Sequence, residues 1–83
     1  MATIHKLKTA QSFFAALNVG DKTFEIRKND RDYKRGDVLH LCEWDGQHYT
    51  GREISRKVTY VLSSDDFPQG LMPGVVCMGI VDL

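Results

Sequence analysis

The chain has 83 residues, 42% hydrophobic and 27% charged, with eleven basic and eleven acidic side chains and no formal net charge. That length supports one domain, residues 1–83, with no room for a second catalytic unit, and the composition excludes a disordered chain. Zero net charge also excludes a strong electrostatic tether to nucleic acid.

The charge is nevertheless uneven. Residues 1–57 hold every Lys and Arg and a net +3, and residues 58–83 a net −3, which predicts one mildly positive face suited to local phosphate contacts. Apolar runs such as Val75–Val81 fall far short of the ~20 residues of a spanning helix. The segment Met1–Lys6 lacks the apolar stretch of a signal peptide, so a cytoplasmic protein without membrane contact is expected.

In chain order, Thr3–Lys8 reads as a first strand built on Ile4 and Leu7. The period then changes. Thr9 is placed to cap a helix over Thr9–Asn18, with Ala10, Phe13, Phe14 and Leu17 at i, i+3, i+4 and i+7 turned inward. Gly20 can end it in a left-handed conformation. In the charged stretch that follows, Phe24 and Ile26 sit at strand spacing as an apolar footing, so Thr23, Glu25 and Arg27 are expected together on the opposite, exposed face.

Asn29–Asp32 predicts an ordered turn. Val38–Trp44 is the next strand, and Asp45-Gly46 a hairpin signal leading into a long partner from Tyr49 onward. Within that partner Val58, Tyr60 and Leu62 alternate against Lys57, Thr59 and Val61. Ser63–Gly70 reads as a loop with room for a short second helical turn begun at Ser64. Pro73-Gly74 then opens a strand, Val75–Val81, too apolar for a free edge. Five to six strands with one N-terminal helix predict an α+β protein built as a small curled β-barrel.

Lys22, Glu25, Arg27, Arg31 and Arg52 are the charged candidates for binding: the cations suit phosphate, and Glu25 can either accept from an exocyclic base amine or orient Arg27. The competing account is an ion-pair network that only ties the strand to the turn. Tyr33, Trp44, His48, Tyr49 and Tyr60 offer stacking faces, Tyr49 beside Thr50-Gly51-Arg52 being preferred, with Gly51 marking a bulge or a close approach. Cys42 and Cys77 read as reduced packed side chains. His40 and Cys42 share a strand face, which His5 and His48 could join, but paired zinc spacing is missing, so neither metal nor cofactor is expected.

Gly20, Lys22, Glu25 and Arg27 match a G-x-K-x-x-E-x-R signature, through which the chain resembles the ASCH domains of the PUA-like β-barrel superfamily. The run from Arg27 to Tyr33, with Gly36-Asp37-Val38-Leu39 and Tyr49-Thr50-Gly51-Arg52, is similar to a small bacterial and phage family of unknown function, DUF3850-like. The resemblance covers nearly the whole chain, including His5–Lys8 and Val58–Leu62. It implies a PUA-like barrel that binds RNA or a nucleotide-like ligand in a cleft lined by Lys22, Glu25 and Arg27, with Asn29, Asp30, Arg31, Tyr49 and Arg52 nearby.

One branch of that superfamily cleaves the acetyl amide of modified cytidines with a lysine matching Lys22, a threonine three residues on and a later glutamate. Here Glu25 replaces the threonine and no Glu follows Glu53. A ribonuclease branch would need only a base, Lys22 or His5, and a cation, Arg27 or Arg52. Binding is therefore the leading expectation, with Lys22 the catalytic residue if there is one. A small hydrolase or ribonuclease, and a structural or protein-interaction domain, are the alternatives.

Overall fold

Alternation at every second position defines β1 (Ile4–Ala10) in the computed structural model, which describes residues 2–83. His5, Leu7 and Thr9 point into the core, whereas Ile4 is exposed. The strand therefore continues two residues beyond the expected Lys8, and this moves the helix. Thr9 is a buried strand residue whose hydroxyl donates to the Leu7 carbonyl at 3.4 Å, so it caps nothing. Helix α1 (Gln11–Asn18) starts after Ala10 with no side-chain cap. Its eight residues make about two turns, enough to bury only a narrow stripe. Phe14 and Leu17 fill that stripe, and the expected inward pair Ala10 and Phe13 is left outside.

Four further strands follow: β2 (Phe24–Lys28), β3 (Val38–Trp44), β4 (Tyr49–Ser63) and β5 (Val75–Asp82). They form one sheet in the order β1-β3-β4-β5-β2. The β1–β3 pair is parallel and the other three are antiparallel. β4 bends the sheet: its first part pairs with β3 and its last part with β5.

Two irregularities sit in β4. Thr50-Gly51-Arg52 stands opposite the single residue Glu43, with Gly51 at φ +97°, a backbone region that disfavours side chains. A second shift between Val58 and Tyr60 resets the alternation, pairing Val58 with Ile80 and Val61 with Met78, both core residues of β5. Tyr60 is left exposed, so the expected shared face of Val58, Tyr60 and Leu62 is broken. Extra residues on one strand increase twist, and the sheet curls into a half-barrel.

The concave side holds the core, in which Leu39, Leu41, Val58 and Met78 have no exposed surface. α1 lies over it: Leu17 joins the core, Arg56 Nη2 donates to the Leu17 carbonyl at 3.4 Å, and the Arg52 guanidinium stands 5.0 Å from the Phe14 ring centre. Among the described residues the fold is α+β with five strands and one helix. The expected second helical turn is a set of tight turns instead, in which Asp66 Oδ2 accepts from both the backbone N–H and the hydroxyl of Ser63. No helix among the described residues is long and apolar enough to cross a membrane. β1 and β2 are the two edges of the sheet, and its curl turns them toward each other.

Candidate functional site

The facing of β2 is set by its neighbour. Glu25 pairs with Met78 and Arg27 with Val76, and both partners point into the core, so Glu25 and Arg27 must point there too. Phe24 and Ile26 consequently lie on the convex face, 43% and 53% exposed, while Glu25 is only 3% exposed. This inverts the expected arrangement of an apolar footing beneath an outward polar row.

A buried carboxylate needs partners, and Glu25 has one for each oxygen. Lys22 Nζ donates to Oε1 and also to the Phe24 carbonyl at 2.8 Å. Arg27 Nε donates to Oε2 at 2.9 Å. Arg27 Nη2 then crosses to β1, donating to the Lys8 carbonyl at 2.9 Å and meeting the Thr9 hydroxyl at 3.5 Å. The cluster therefore bridges the two sheet edges. Glu25 acts as the clamp, and one hydrogen of the Lys22 ammonium and part of the Arg27 guanidinium remain without a protein partner among these bonds.

A recess of about 570 Å³ opens on this cluster, lined by Lys8 and Ala10 of β1, Phe13 of α1, Lys22, and Phe24 through Arg27 of β2. Three cations against one carboxylate give it two net positive charges. Phe13 and Phe24 flank the Lys22 ammonium, their ring centres 5.2 and 4.9 Å away. Lys22, Glu25 and Arg27 are thus brought together.

The other candidates are spread around that recess. Asp30 and Arg31 line a smaller hollow of about 220 Å³ on the other side of Arg27. Asn29 shapes the turn, its Oδ1 accepting from the Tyr33 N–H at 3.0 Å and its own N–H donating to the Gly74 carbonyl at 2.8 Å. Tyr49 packs edge-on against Trp44 at 5.0 Å, with the Lys6 ammonium above it, and Arg52 lies beside Phe14 and Glu43. Neither Tyr49 nor Arg52 lines the recess. Lys8, Phe13 and Phe24 were not among the expected site residues. A hint for the phenyls lies in Phe13-Phe14, two adjacent aromatics on a helix too short to bury both.

His5 is committed elsewhere. Its Nε2 stands 2.8 Å from Asp37 Oδ2 and its ring meets Tyr33 edge-on at 4.7 Å, all three being buried. Burial alone would raise the Asp37 carboxyl, but hydrogen bonds from His5, the Lys34 N–H and the Thr3 N–H outweigh it and hold the group below the usual carboxylate range. Burial raises the Tyr33 hydroxyl above its ordinary value, opposed by the nearby Arg27 and Arg31 charges. Among the described residues, metal-binding donor atoms gather at His40, Cys42 and Glu53, on the sheet face opposite the core.

A family model described as "Domain of unknown function (DUF3850)" matches residues 4–80. A relative from Escherichia phage P2, the "Uncharacterized 12.9 kDa protein in GpA 3'region", is 40% identical over 67 residues. The match covers 81% of this chain and 62% of the phage protein, so the chain spans less than two thirds of that relative's length.

Proposed function

This chain belongs to the DUF3850 family, and we propose that it is a PUA-like barrel of the ASCH type that binds RNA or a nucleotide-like ligand in the recess between β1 and β2. One observation carries the reading: Lys22, Glu25 and Arg27 line a single open recess together with two exposed phenyl rings. Exposed phenyls beside cations match the needs of a flat base attached to a phosphate. Glu25, with a cationic partner on each oxygen, holds Lys22 and Arg27 in place and leaves the ligand to them.

Binding is favoured over turnover. Glu25 stands where the amide-cleaving relatives are expected to carry their threonine, and Thr23 does not line the recess but a neighbouring hollow with Lys22, Arg56 and Asp82. His5, the other candidate base, is buried against Asp37.

The test is a fluorescence titration with labelled single-stranded RNA in low salt. Phe24→Ala should weaken binding by about tenfold, the loss of roughly one stacked base. Lys22→Ala and Arg27→Ala should each weaken it further and flatten the salt dependence by about 0.7 in log–log slope for every phosphate that is no longer neutralised. Undetectable binding by the wild type, or equal affinities in all three folded variants, contradicts the proposal.

A further inference from the structure

We propose that His40, Cys42 and Glu53 form a site for one zinc-class divalent cation on the convex face of the sheet, independent of the recess. His40 and Cys42 are two residues apart on β3 and so share a face, and the β3–β4 register sets Glu53 directly opposite Cys42. The donor atoms of the three all lie within 4.8 Å of one another, and His40 Nε2 stands 2.8 Å from Glu53 Oε1. Bond lengths of 2.0–2.3 Å place two ligands of one tetrahedral zinc roughly 3.3–3.7 Å apart. An ion taking the place of the hydrogen between His40 Nε2 and Glu53, which moves to Nδ1 of the same ring, opens that pair slightly, while the sulfur closes by little more than about an ångström, a movement within reach of the side-chain torsions.

The donor set selects the metal. Thiolate, imidazole and carboxylate together suit borderline zinc, whereas calcium and magnesium take oxygen ligands. Binding breaks the Cys42 S–H bond, forms the metal–sulfur bond and releases the proton to solvent. Two anionic ligands then neutralise a divalent ion. Lys6 and Lys8 on β1 are register partners of His40 and Cys42, and their ammonium groups lie over Tyr49 and Trp44 at 5.0 and 4.0 Å. His40 and Glu53 are partly exposed, their side chains at 31% and 48%, so a fourth position faces water. Spacing along the chain conceals this set because the third ligand comes from the neighbouring strand.

The untagged chain, stripped with a chelator, is titrated with Zn²⁺ against a competing chromophoric chelator, and separately with Co²⁺ while absorption is followed. One equivalent of zinc should bind, and the cobalt complex should show a thiolate-to-metal charge-transfer band that Cys77→Ser keeps and Cys42→Ser loses. Cys42 is buried, so its replacement could unfold the chain. His40→Gln and Glu53→Gln change partly exposed positions and provide the second arm, each expected to weaken zinc by roughly 100-fold or more. A cobalt complex without the thiolate band, or zinc affinity unchanged in both glutamine variants, overturns the site.

Discussion

Glu25 illustrates how one side chain can organise others. Its carboxylate lies between Lys22 and Arg27, and replacing it with an amide leaves two cations side by side with one acceptor where there were two. Glu25→Gln should cost about 3 kcal/mol in urea unfolding, as breaking a buried ion pair does; a loss near zero would mean the clamp is not needed. Asp37 has a pH signature. Its folded-state carboxyl titrates below the ordinary value, so its stabilisation is complete above about pH 4 and fades as pH falls through the lower folded value. The stability difference between wild type and Asp37→Asn should therefore hold at neutral pH and shrink as pH falls below about 4, and a constant difference would contradict the assignment. At this scale the sequence was informative about membership and blind to direction. Lys22, Glu25 and Arg27 could be picked out by spacing, but whether they face in or out is decided by Val76 and Met78, some fifty residues away.

Among the elements, the strands with strong apolar content were legible: β3 runs from Val38 to Trp44 as expected, and β5 ends one residue beyond the expected Val81. The helix start was not, because Thr9 satisfies a capping pattern and a strand pattern equally, and the parallel pairing of Thr9 with Glu43 settles it as strand. Adjacent phenylalanines on α1 then take opposite fates. Phe14→Ala, at a fully buried site, should destabilise the chain by about 3–5 kcal/mol in thermal or urea melts. Phe13→Ala should leave the melt nearly unchanged and instead weaken RNA binding, and a large melting shift would return Phe13 to the core. Gly51 in the β4 bulge supplies a backbone test. No neighbouring atom would meet a Cβ there, so Gly51→Ala should cost only the strain of its left-handed φ, about 1–2 kcal/mol.

For the whole molecule, the count of strands and the short chain implied a curled sheet, and the half-barrel agrees. What the sequence could not supply is the closure. The order β1-β3-β4-β5-β2 puts the first two strands at opposite edges, and the curl returns them to each other with a ligand-sized gap bridged by Arg27. Local periodicity has no access to that meeting of edges, which arises from the bulges of β4 and the parallel β1–β3 pair. The placement of a positive, phenyl-walled recess at this seam is the central claim. Chemical-shift mapping of the amides during titration with a short single-stranded RNA tests it most directly. The account predicts perturbations centred on Lys8, Phe13 and Lys22 through Arg27, moved to higher RNA concentration by Lys22→Ala in a variant that still melts cooperatively. Perturbations confined to the convex face around Tyr49, or none at low salt, would contradict it.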